Sequence, residues 1–205
     1  MATVPEVREQ HPLRRYSNAA VTFHWIVAAL VLFQIWLGLS FADMAQGPQR
    51  SQLFTWHKTI GATILLLAIA RLTYRLMNPP PPFPPELPRW ERVVAVWNHR
   101  LLYLLLILLP IGGLTAVSGH TKGATTTLLG GVPMPVIPGI SEQVGETAGD
   151  IHSAAAWVLI ALLVLHVAAA LKQQFFDRPG RMAGRMPPFK PRTHEPVVSE
   201  SRAEG

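Results

Sequence analysis

Cysteine is absent from this 205-residue chain. That excludes structural disulfides, iron–sulfur clusters held by thiolates, and covalent haem attachment, which needs C-x-x-C-H. Any cofactor must be held by histidine or carboxylate. Charge is sparse, at 15% of residues, and lopsided, with 18 Lys and Arg against 12 Asp and Glu. No internal repeat is visible. Nor is a cleavable signal peptide, because the first apolar block follows a polar, Arg-containing leader and is too long for a signal h-region.

What the chain has instead is apolar residues in long blocks. They make up 49% of it and concentrate at 19–41, 55–77, 93–117 and 151–176. Each block exceeds the roughly 20 residues that cross a hydrocarbon core of about 30 Å. Backbone groups cannot stay unpaired in lipid, so each block is expected to be an α-helix. The expected fold is all-α, an integral membrane four-helix bundle over 17–176, with a leader at 1–16 and a basic, Pro-rich tail at 177–205.

A pI near 10.3 is common among nucleic-acid binders, but here the charge follows topology. All of the eighteen Lys and Arg except Arg50, Lys58 and Lys122 precede the first span, flank the second-to-third connection, or follow His166. The positive-inside rule then puts both termini of a multi-pass membrane protein in the cytoplasm, with lipid rather than nucleic acid as its partner. The tail's Arg178, Arg181, Arg185 and Lys190 suit anionic headgroups.

Of the connections, 42–54 reads as a polar turn. The proline run at 78–85 cannot be helical and reads as a stiff polyproline spacer, an SH3-type ligand being the minor alternative. The connection 119–150 is the longest, carries Gly130, Gly131, Pro133, Pro135, Pro138 and Gly139, and reads as an irregular cap over an outer-side site.

Four histidines sit within the apolar blocks: His24, His57, His152 and His166. An ionisable side chain at such depth is rare and marks function. His152 and His166 are fourteen residues apart on one segment, which is about 21 Å along the axis and within about 40° of one face. With spans alternating in direction, His24 and His166 fall near the inner face and His57 and His152 near the outer one. Two His–His pairs suit bis-histidine haem b, a flat apolar ring with one axial imidazole from each side. Zinc usually needs three or four ligands together, which two distant pairs do not offer.

Arg71 lies fourteen residues after His57, at the inner depth, where a guanidinium can pair with a haem propionate, and Lys58 stands in the same relation to the outer site. Both also fit simple flanking charge. His99, at the inner boundary, has three readings: a substitute for His24 as ligand, a proton carrier for a quinone, or an interfacial residue. His11, His120 and His194 lie in loops or tails and receive no cofactor role.

The stretches Tyr16-Ser17 through Phe23-His24-Trp25, Trp56-His57-Lys58-Thr59-Ile60-Gly61, Arg71-Leu72-Thr73-Tyr74-Arg75, His99 through Leu109-Pro110, Ile151-His152-Ser153 and Leu165-His166-Val167 resemble the bacterial cytochrome b561 family, grouped with the cytochrome b subunits of nickel hydrogenases. The resemblance covers most of 16–176. It implies four helices, two b haems with ligands on the first, second and fourth spans, and His24 rather than His99 as ligand. It also brings ubiquinone as substrate and, for some members, superoxide oxidation.

Two functional readings follow. The first is a dihaem electron carrier between the quinone pool and a periplasmic donor or acceptor, superoxide among the candidates. The second is a haem-bearing anchor that relays electrons for a separate dehydrogenase or hydrogenase. A histidine-lined metal or proton transporter is a third, and it predicts no haem absorbance. Outer cations Arg50, Lys58 and Lys122 face Asp43, Glu142, Glu146 and Asp150, a balance that does not favour steering an anion.

Overall fold

Four long helices carry the chain back and forth in the computed structural model, which describes residues 16–83, 87–121, 125–175 and 186. They are α1 (Asn18–Ala42), α2 (Pro48–Met77), α3 (Arg89–His120) and α4 (Glu142–Phe175), each long and apolar enough to cross a membrane. The leader 1–15, Pro84, Pro85, Lys122, and the basic tail with Arg178, Arg181, Arg185 and Lys190 lie outside the described residues, as do His11 and His194.

Local chemistry sets the ends. Ser17 caps α1, its Oγ accepting from the Ala20 N–H at 3.2 Å, and the same hydroxyl meets Tyr74 Oη at 2.9 Å, tying the start of α1 to the end of α2. Pro48 opens α2, where a missing N–H costs nothing, and Asn78 and the prolines beyond it stop the helix. α2 and α4 both start earlier than their apolar blocks. Polar residues such as Gln49, Arg50, Glu142 and Glu146 extend each helix past the hydrocarbon, because hydropathy marks the lipid boundary and not the last hydrogen-bonded turn.

The helices form two antiparallel hairpins, α1 with α2 and α3 with α4, joined along α2 and α3. The α3–α4 crossing is the closest. A Cβ on Gly119 would lie 2.6 Å from the Gly145 Cα and 2.8 Å from the Ser141 carbonyl oxygen, so backbone meets backbone there. Small cores such as Val27, Val31, Ile64, Ala68, Leu106, Leu109 and Leu159 fill the centre. Leu66 at 70% and Trp157 at 62% exposure face outward, as lipid-facing side chains do.

The connection after α3 is more ordered than an irregular cap. β1 (Thr125–Thr127) pairs antiparallel with β2 (Pro133–Pro135) around a turn in which Gly130 and Gly131 take φ of 73° and 77°. Residues expected in the loop from Glu142 onward belong to α4, and His120 is the last residue of α3. The hairpin is pinned to the bundle: Lys58 Nζ donates to Thr126 Oγ1 (2.8 Å) and the Thr127 carbonyl (2.9 Å), Leu129 N–H donates to Thr59 Oγ1 (2.9 Å), and Ile137 N–H to Ser118 Oγ (3.0 Å).

Replacing Lys58 by methionine keeps the side chain's reach and removes two of these bonds. Hydrogen–deuterium exchange at Leu129 is expected to accelerate about tenfold or more. Unchanged exchange would show that the remaining bonds hold the hairpin without the ammonium.

Candidate haem-binding site

Each end of the bundle gathers imidazoles from both hairpins. Near the termini, His24 of α1 and His166 of α4 have ring centres 6.2 Å apart. Near the β-hairpin, His57 of α2 and His152 of α4 are 6.1 Å apart. Two imidazoles that bind one metal from opposite sides through bonds of about 2 Å have centres about 6 Å apart. No group of three or more potential ligands that could hold a bare metal ion exists among the described residues. Each end thus holds a pair of imidazoles at a spacing that suits axial ligation of a macrocycle.

Helix positions explain each placement. His152 lies against α3 where Gly113 has no side chain, since a Cβ there would stand 3.2 Å from His152 Cε1 and 3.3 Å from Nδ1. Its Nδ1–H donates to the Leu109 carbonyl oxygen at 2.9 Å, and a carbonyl can only accept, so the Nε2 lone pair is the free one. His57 lies against Gly38 of α1, whose Cβ would be 3.4 Å from its Cε1. Its Nδ1 is buried and has no partner among the described residues.

At the other end a small cavity is lined by His24, His99, His166, Arg71 and Tyr103 with apolar walls from Val27, Leu106 and Leu163. Arg71 donates to His24 Nδ1 at 2.8 Å, and the guanidiniums of Arg71 and Arg75 lie 5.3 and 5.8 Å from the centre of the Tyr103 ring. His99 sits 5.1 Å from His166, with its ring perpendicular at 89° and its Nδ1 on the Ala95 carbonyl oxygen at 2.6 Å.

A family model described as prokaryotic cytochrome b561 matches residues 15–186. The chain belongs to this family. It is thus a multi-pass membrane haem protein of electron transport, with b-type haem as its cofactor. Among curated relatives, it is 28% identical to "Cytochrome b561 homolog 2" of Escherichia coli (strain K12), with 80% of this chain and 87% of the relative covered. It is 25% identical to "Probable superoxide oxidase CybB" of Yersinia pestis, with 85% and 97% covered. "Cytochrome b561 homolog 1" of Escherichia coli (strain K12) is 24% identical, with 85% and 98% covered.

Of the residues singled out in the sequence of this cytochrome, the structure brings His24 to His166, His57 to His152, and Arg71 to His24. Lys58 instead engages the β-hairpin. The sequence reading missed Gly38 and Gly113, which give His57 and His152 room, and Gln34, whose Nε2 donates to the His57 carbonyl oxygen at 3.0 Å. A lone Gln inside an apolar span was the available signal for the last of these.

Proposed function

We propose that this cytochrome is a dihaem b-type electron carrier of the inner membrane, passing electrons between the quinone pool and a donor or acceptor at the periplasmic face. The observation that carries the reading is the spacing of the two imidazole pairs, 6.2 and 6.1 Å between ring centres, at opposite ends of one bundle. His24 and His166 would hold one haem b, His57 and His152 the other. Bound there, haem supplies one-electron redox chemistry.

The chain's own residues position and select. His166 can be paired by His24 at 6.2 Å, whereas His99, at 5.1 Å, is too close for a metal to sit between the two rings. That geometry supports His24 as the ligand and leaves His99 beside the inner site, where an imidazole can carry a proton for a quinone. Ligation through His24 Nε2 needs the ring proton on Nδ1, so Arg71 must release that nitrogen. Arg71 so released is a charge-assisted donor for a propionate. Lys58, bound to Thr126 and Thr127, would act at the outer site only by leaving the hairpin.

Similarity to a protein named probable superoxide oxidase supports superoxide as the periplasmic reductant. The reaction would be one-electron oxidation of superoxide to dioxygen, with quinone reduced to quinol by two such electrons and two protons. The test combines a dithionite-minus-oxidised spectrum with pyridine haemochrome quantitation and stopped-flow mixing with superoxide. About two b haems per chain and millisecond reduction are expected. A chain without haem removes the whole reading, and two haems that stay oxidised remove superoxide alone.

A further inference from the structure

Gln34 and His57 share a hydrogen bond and, beyond it, an unmet need. The Gln34 Nε2 donates to the His57 backbone carbonyl at 3.0 Å, which leaves Oε1 as the arm of the amide that can only accept. Among the described residues that buried Oε1 has no partner, and neither has the buried Nδ1 of His57. A buried acceptor and a buried ring nitrogen thus belong to two residues already joined, through the Gln34 amide and the His57 backbone, at a site where leaving either unmet is costly.

Gly61, one turn along α2 from His57, leaves room for the amide, since a Cβ there would be 3.1 Å from Gln34 Nε2. Gly38, one turn along α1 from Gln34, leaves room for the imidazole. The other buried acceptors without a partner among the described residues are Asn98 Oδ1 and Gln174 Oε1. Asn98 reaches the Leu162 carbonyl oxygen near the opposite end, and Gln174 lies in the last turn of α4. Neither is at the depth of His57.

The other imidazole of this pair has its Nδ1–H on a carbonyl oxygen, from Leu109. A neutral imidazole that ligates through Nε2 must carry its proton on Nδ1, and ligating histidines nearly always donate that proton. We infer that Gln34 is the positioning residue of His57, its Oε1 taking the Nδ1–H of that imidazole directly or through one water when the ring binds iron. The inference rests on the reading that His57 holds a haem. The bond gives the ring more imidazolate character, which favours ferric over ferrous iron and lowers the potential of the haem at the β-hairpin end.

The test is a potentiometric titration of wild type, Gln34→Leu and Gln34→Glu, each also in a His166→Ala background that isolates the His57/His152 site, with haem content measured alongside. Leucine is well tolerated in a membrane span, and glutamate restores an acceptor oxygen. Gln34→Leu is expected to shift the equilibrium of that one haem at least tenfold toward the reduced form, about 59 mV for one electron. The other haem should not move, and Gln34→Glu should lie at or below the wild-type potential. Loss of that haem from Gln34→Leu but not from Gln34→Glu supports the inference equally. Unmoved potentials, equal shifts at both haems, a Glu variant that behaves like Leu, or loss of haem from both variants overturns it. A wild-type protein without haem at His57 overturns the underlying reading as well.

Discussion

If each imidazole pair holds a haem, as proposed above, alanine at His166 is expected to remove one haem and spare the other, whose spectrum then belongs to the His57/His152 pair alone. The physical ground is the separation of the two sites along α4, about 21 Å for fourteen residues, which puts the loss of one imidazole far beyond contact range of the other pair. Electron passage from one face to the other should be abolished while the remaining haem is still reduced by dithionite. Pyridine haemochrome quantitation reads the first outcome, and a vesicle assay with reductant on one side and acceptor on the other reads the second. His152→Ala should give the complementary spectrum. A His166→Ala protein that keeps both haems would make His99 an axial ligand, since it is the imidazole that already stands beside His166.

Gly119→Ala is expected to be the most damaging change of a single methyl group. Its Cβ would meet Gly145 Cα at 2.6 Å and the Ser141 carbonyl oxygen at 2.8 Å, both backbone, so the contact is relieved only if α3 and α4 separate. Overpacking of this kind costs about 1–3 kcal/mol or more. For a chain of this size that is a fall of about 3–10 °C in thermal midpoint. Because His152 is carried on α4 two turns from Gly145, the haem at the β-hairpin end should be lost first on heating. Gly47→Ala is the control, since nothing lies within 4 Å of the added Cβ and the φ of 169° is ordinary extended backbone. Equal midpoints for the two variants would show that the crossing yields at no cost.

Hydropathy made the spans legible, and alternation of direction made the depth of each histidine legible, because both depend only on distance along the chain. The same arithmetic put Arg71 at the level of His24, where its guanidinium reaches that ring. What escaped was whatever depends on contact between elements. Nothing in the spacing of Gly130, Pro133 and Pro135 reveals that Thr125–Thr127 pairs with Pro133–Pro135, since strands of three residues have no period to read. The bonds of Lys58 to Thr126 and Thr127 were hidden because they cross 68 and 69 residues of sequence. Gln34 gains its meaning from Gly61 and His57, which only the packing of α1 on α2 brings beside it. The early start of α4 was hidden by its charge, as Glu142, Glu146 and Asp150 lower the hydropathy of turns that are fully helical.

Each imidazole pair draws one member from α1–α2 and the other from α3–α4, and the prolines Pro79 to Pro82 join the two halves of the chain. Severing the protein within that run would therefore yield two fragments, each owning half of both ligand sets and neither able to complete one. Their reunion could be followed by colour: iron porphyrin would be gripped from both sides only in the reassembled pair, and cofactor supply would by mass action govern how firmly the halves adhere. On the same reading, the intact polypeptide could complete neither pair before α4 has entered the bilayer.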